Sequence, residues 1–120
     1  MKLKVLIADD SKTIRKIMKL QLEELGHEVI AEACNGSEAI EKYSKYSPDL
    51  ITMDIQMPDM NGVEAVTKIK KTDKKVKIIM ITAHGQKDLV EGTIKKGVND
   101  YILKPITADK LSESIQKIFQ

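Results

Sequence analysis

The sequence predicts an alternating α/β fold: a doubly wound parallel sheet with helices on both faces. Two observations carry the prediction. Short apolar runs occupy residues 5–8, 50–53, 78–81 and 101–103, with a weaker one at 29–33, and each reads as a buried strand. Between them apolar residues recur at helical spacing. The order is therefore βα repeated five times, and parallel strands need such crossovers to return.

Taken in order, Val5-Leu6-Ile7-Ala8 ends at Asp9-Asp10. Ile14, Ile17, Met18, Leu22 and Leu25 then form the apolar stripe of a first helix, which Gly26 closes. The weak run at 29–33 follows, and Asn35-Gly36 precedes a second helix carrying Ala39, Ile40 and Tyr43. The run at 50–53 leads to Asp54, and Asn61-Gly62 precedes a third helix on Val63, Val66 and Ile69. Thr82 ends the next run, after which Leu89, Val90 and Ile94 predict a fourth helix ending at Gly97. Lys104 ends the last run, and Leu111, Ile115, Ile118 and Phe119 mark a fifth helix with Thr107 as its N-cap.

Composition narrows the function. The chain has 120 residues, 42% of them hydrophobic, which fits one compact domain over residues 1–120 with no output domain and about two-thirds of its unfolded surface buried. Twenty Lys and Arg against 18 Asp and Glu give a net charge of +2, too small for a general attraction to nucleic acid or anionic lipid. The single cysteine, Cys34, excludes an intrachain disulfide and suits a reducing compartment. No signal peptide follows Met1 and no apolar run has membrane-spanning length, so a cytoplasmic setting is expected. His27 and His84 share no metal-ligand spacing with Cys34, which reads as a small packed or edge residue. A nucleotide-binding G-x-x-x-x-G-K-[ST] loop is absent.

The strand ends are the informative positions: Asp9 and Asp10, Asp54, Thr82 and Lys104. In a parallel sheet all carboxyl ends lie on one rim, where open α/β folds place their ligands. Three carboxylates within about 5 Å repel one another by roughly 3 kcal/mol per pair at an effective dielectric near 20. A hard divalent cation, Mg²⁺ or Mn²⁺, relieves that repulsion and leaves coordination positions for a phosphate oxygen. Lys104 supplies a mobile cation and Thr82 a hydroxyl donor. The set suits phosphoryl transfer: a carboxylate nucleophile, a metal, a cation and a hydroxyl donor. Singly, each residue has a plainer reading as a cap, a loop residue or a surface lysine, and only convergence promotes them.

Asp9-Asp10, then Asp54 within Met53-Asp54-Ile55-Gln56-Met57-Pro58-Asp59-Met60-Asn61-Gly62, then Thr82-Ala83 and Lys104-Pro105 together resemble the response-regulator receiver family of two-component systems along the whole chain. The resemblance implies a flavodoxin-like sheet of strand order 2-1-3-4-5. It also implies that Asp54 is phosphorylated by a sensor histidine kinase, with metal held by Asp9, Asp10, Asp54 and the Gln56 backbone carbonyl. Lys104-Pro105 would be cis. Thr82 and Tyr101 would form the switch; the plainer, less favoured reading of Tyr101 is a partly buried aromatic with a wet hydroxyl. Gln56 and His84 lie two residues beyond Asp54 and Thr82, where they could tune acyl-phosphate lifetime; a surface histidine without a role is the plainer reading of His84. Asp59 and Asn61 are explained by turn chemistry and left outside the site. The lysine pairs at 70–71, 74–75 and 95–96 read as solvated helix ends.

The implied protein is a monomeric signalling switch that assists its own phosphorylation and autodephosphorylation, rather than a turnover enzyme. Thr82-Ala83-His84-Gly85-Gln86 and Asn35-Gly36-Ser37-Glu38-Ala39 are similar to short chemotaxis regulators, which often carry methionine at the histidine position. That implies the flagellar motor switch as partner, through the fourth helix, fifth strand and fifth helix, including Lys95, Asn99 and Tyr101. The alternatives are a phosphorelay carrier or the receiver of a transcription factor. A rival of another class is a metal-dependent aspartyl-phosphate hydrolase, but its usual Asp-x-Asp after the first strand is replaced here by adjacent aspartates, and no cap insertion is present. A flavin carrier lacks support, having neither a Ser/Thr/Gly-rich loop after the first strand nor a tryptophan.

Overall fold

A computed structural model describes residues 1–120. The apolar runs form β1 (Lys4–Ala8), β2 (Glu28–Ala33), β3 (Leu50–Asp54), β4 (Lys77–Thr82) and β5 (Asp100–Leu103). The periodic stretches form α1 (Lys12–Glu24), α2 (Gly36–Tyr46), α3 (Gly62–Thr72), α4 (Lys87–Ile94) and α5 (Ala108–Phe119). All neighbouring strands pair parallel in the expected order β2-β1-β3-β4-β5. The fourth helix stops at Ile94, short of the expected Gly97, which instead ends the following turn with φ +93°.

Side-chain alternation sorts the core into two layers. Leu6, Ala8, Ile51, Met53, Ile78 and Met80 face one side and pack with Ala39 of α2 and Ala65, Val66 and Ile69 of α3. Val5, Ile7, Leu50, Ile79, Ile81 and Ile102 face the other and pack with Met18 and Leu22 of α1 and Leu111 and Ile115 of α5. The weak signal of β2 has a physical cause: it is an edge strand, and only Ala33 of its six residues is buried.

Local polar residues set the helix starts. Ser11, Asn35, Asn61 and Thr107 each accept a bond from the backbone N–H three residues on, satisfying donors that the first turn leaves free. Asn61 is thus a cap, more than the turn residue its Asn-Gly context suggests. Asp59 also exceeds its turn reading, because its carboxylate accepts from the Gly36 and Ser37 N–H groups at 2.8 and 2.9 Å, tying the loop after β3 to the start of α2. Hydrogen bonds from Ser37 and Gly36 lower its carboxyl to about 2.

Buried His27 accepts the Leu3 N–H on Nδ1 at 3.1 Å. Burial, with the N-terminal ammonium, lowers its pKa below the ordinary 6.5. A histidine with a lowered folded pKa contributes full stability above its unfolded value, and that contribution fades as pH falls through it. The melting temperature is therefore expected to fall on going from pH 7.5 to 5, less so in His27→Gln, whose amide oxygen accepts without titrating. Equal pH slopes for the two proteins in thermal denaturation would show that His27 does not carry the effect.

Candidate functional site

The parallel register brings the strand ends together. Asp54 is the last residue of β3, opposite Ile81 of β4, so Thr82 lies one residue further along the adjacent strand. Asp9 follows β1 directly and its N–H is held by the Ala33 carbonyl of β2 at 2.9 Å. One carboxylate oxygen each from Asp9, Asp10 and Asp54 lies within 4.8 Å of the others. Asp9 and Asp54 are buried, at 1% and 5% exposure, whereas Asp10 is open to solvent.

Protein groups relieve the acidic cluster only in part. Burial is the main cause that raises the Asp9 carboxyl, opposed by the Ser11 N–H on Oδ1 at 2.8 Å and reinforced by Asp54. Burial also raises Asp54, opposed by Lys104, whose Nζ sits 3.4 Å from Oδ2, and by the Gln56 N–H at 3.3 Å from Oδ1. Asp9 Oδ2 is buried with no hydrogen-bond partner. A buried acceptor without a donor is costly, so this oxygen suits a cation. With two further carboxylates and the nearby backbone, it makes a donor set of hard oxygens that fits Mg²⁺.

Four strand ends thus deliver their groups to one rim: Asp9 and Asp10, Asp54, Thr82 and Lys104. Lys104-Pro105 is cis. The Gln56 side chain reaches across to α4's entrance, where Gln86 Nε2 donates to its Oε1 at 2.9 Å. His84 is exposed and makes no side-chain hydrogen bond. Tyr101 is half-buried: its hydroxyl receives a bond from Thr93 Oγ1 at 3.1 Å and donates to the Val90 carbonyl at 3.3 Å, so the ring is tied to α4. Burial raises its pKa. Cys34 is half-buried, with Sγ 3.6 Å from Glu38 Oε2.

Two residues beside the site escaped the sequence reading. Arg15 of α1 donates to the Asp9 carbonyl at 2.7 Å and pairs with Glu32 at 3.1 Å, bracing the β1 end. Gln86 accepts on Oε1 from the Ala83 N–H at 2.7 Å and from the Thr82 hydroxyl at 3.1 Å. Neither has a local signature, since an arginine on an amphipathic helix and a glutamine in a loop are ordinary surface residues.

A five-stranded parallel sheet of order 2-1-3-4-5, with an acidic cluster and a lysine at its carboxyl rim, defines a flavodoxin-like α/β protein with a rim-borne polar site. More narrowly, the chain belongs to the response regulator receiver domain family, the phosphoacceptor switches of two-component systems, whose family model matches residues 5–116. It is 46% identical over 114 residues to the chemotaxis protein CheY of Bacillus subtilis, covering 95% of each chain. It is 44% identical over 115 residues to CheY of Thermotoga maritima, covering 96% of each. Among solved structures, the CheX-CheY-BeF3-Mg²⁺ complex from Borrelia burgdorferi matches with a TM-score of 0.92 and 34% identity, covering 98% of this chain and 89% of that one.

Proposed function

We propose that this receiver domain, a single unit over residues 1–120, takes a phosphoryl group onto Asp54 from a histidine kinase and thereby controls a chemotaxis partner. The observation that carries the reading is the cluster of Asp9, Asp10 and Asp54 oxygens within 4.8 Å, with Lys104 3.4 Å from Asp54. Asp9, Asp10, Asp54 and the Gln56 carbonyl would hold Mg²⁺. The ion supplies charge neutralisation for an incoming phosphoryl oxygen. Asp54 attacks phosphorus, the donor's N–P bond breaks, and an acyl phosphate forms on its carboxylate. Lys104 offsets the added charge, and the Thr82 hydroxyl donates to a phosphoryl oxygen.

The output is read at the face of α4, β5 and α5, which carries Lys95, Asn99 and Tyr101. Tyr101's bonds to Thr93 and Val90 tie it to α4, and in this reading a movement of Thr82 toward the phosphoryl group would release it to a second position. The relatives' names, chemotaxis proteins, support a chemotaxis output, for which this reading takes the flagellar motor switch as partner, and no helix is long and apolar enough to cross a membrane, consistent with a cytoplasmic site of action.

Incubation with acetyl phosphate, with and without Mg²⁺, tests the chemistry by intact mass. Metal-dependent gain of one phosphoryl group supports it, and no gain under either condition removes it. Retention of the flagellar switch protein only by the phosphorylated chain supports the output, whereas retention indifferent to phosphorylation counts against it. Mg²⁺ at about a hundred times its Kd is expected to stabilise the fold by roughly 2.7 kcal/mol. Asp9→Asn should lose that rise, and an equal rise in thermal melting would exclude Asp9 as a ligand. For acyl-phosphate lifetime, Gln56→Ala and His84→Ala are expected to change the dephosphorylation half-life, and unchanged half-lives would make both bystanders.

A further inference from the structure

The capping pattern singles out α4. Ser11, Asn35, Asn61 and Thr107 cap the other four helices with their side chains, but Gln86, at the N-cap of α4, makes no such bond. Its carboxamide turns instead toward the end of β4. There Oε1 accepts the Ala83 N–H at 2.7 Å and the Thr82 hydroxyl at 3.1 Å, while Nε2 donates to Gln56 Oε1 at 2.9 Å. The Ala83 N–H, a donor only, fixes which end of the amide points inward. One oxygen thereby gathers a backbone N–H and a hydroxyl at the end of the strand that neighbours Asp54. A phosphoryl oxygen needs donors of that kind.

We propose that Gln86 is a positioning residue whose carboxamide stands in for the phosphoryl group in the unphosphorylated protein, and that its displacement couples Asp54 to the start of α4. The inference rests on the phosphoacceptor reading above. An anionic phosphoryl oxygen accepts about twice as strongly as a neutral amide, so it takes the Thr82 and Ala83 donors when it arrives. The freed Gln86 then also lets go of Gln56. The Gln86 carbonyl receives the Val90 N–H at 3.0 Å, and Val90 in turn holds Tyr101, so movement of Gln86 reaches the tyrosine through two successive bonds. Before phosphorylation, the stand-in keeps both donors satisfied and aimed.

Beryllofluoride with Mg²⁺, a phosphoryl mimic, is titrated into wild type, Gln86→Ala, Gln86→Met and Gln86→Glu. Ala and Met remove the competing acceptor, and since the side chain makes no cap bond the helix start keeps its support. Both are expected to bind the mimic about fivefold more tightly, the worth of roughly one net neutral hydrogen bond. Glu, a stronger acceptor, is expected to bind it more weakly, and a loosened loop would not produce opposite signs. In amide NMR of the mimic-free protein, the Ala83 N–H should shift upfield in Ala and Met as it loses its acceptor. Affinities of all three variants within about twofold of wild type overturn the stand-in while leaving the phosphoacceptor reading intact. Failure of wild type itself to bind the mimic removes that reading, and the stand-in with it.

Discussion

Asp54→Asn is expected to abolish phosphoryl uptake from acetyl phosphate while leaving a folded protein. The amide is close in shape to the carboxylate, but its nitrogen and carbonyl oxygen lack the anionic lone pair that attacks phosphorus, and it is a poorer ligand for a hard cation. The fold should not suffer. Burial raises the Asp54 carboxyl, so its ionised form weakens the metal-free fold at neutral pH, an effect that vanishes as pH falls through the folded pKa. Asparagine removes that cost and the repulsion from Asp9 and Asp10. It also removes Lys104's partner, yet Lys104 keeps a third of its side chain in water. Without Mg²⁺, the variant's melting temperature is expected to equal or exceed that of wild type. Uptake surviving in the variant, seen by intact mass, would place the acceptor elsewhere on the rim.

Gly62→Ala is expected to destabilise the protein by about 1–3 kcal/mol through overpacking. A Cβ built on Gly62 would lie 2.5 Å from Met80 Cε, 2.9 Å from Ile55 Cα and 3.1 Å from the Ile55 carbonyl oxygen. The methionine methyl can move aside, but the Ile55 backbone cannot easily do so. It follows Asp54 directly and is pinned by its own N–H to the Ile81 carbonyl at 3.0 Å and by the Gly62 N–H on its carbonyl at 2.6 Å. The clash therefore pushes on the segment that carries the Gln56 carbonyl, so phosphoryl uptake should slow along with the loss of stability. A urea midpoint equal to that of wild type would show that the loop gives way freely. Gly26 makes the contrast: its φ is +92° but a Cβ there meets nothing within 4 Å, so any cost of Gly26→Ala is backbone conformation alone.

The difference between these glycines could not be read from the chain, since both sit in ordinary turn contexts. What the sequence determined was periodic or local. Apolar runs gave the strands, three- and four-residue spacing gave the helices, and Thr107 gave a cap. The site was legible for a topological reason: parallel strands joined by helical crossovers must all end on one rim, so polar residues at strand ends meet there whatever the loops do. The order of the strands came only through the resemblance.

Only the tertiary structure decided the rest. It alone gave Asp59 its hold on α2 across 23 residues, tied Tyr101 to α4 through Thr93 and Val90, and set Gly62 against Ile55. It also turned the Gln86 amide onto Thr82 and Ala83. Each of these joins segments whose approach is fixed by packing two helical layers against one sheet. A hydrogen bond or a close backbone contact depends on tenths of an ångström in that packing, and residue type and spacing along the chain carry no record of it.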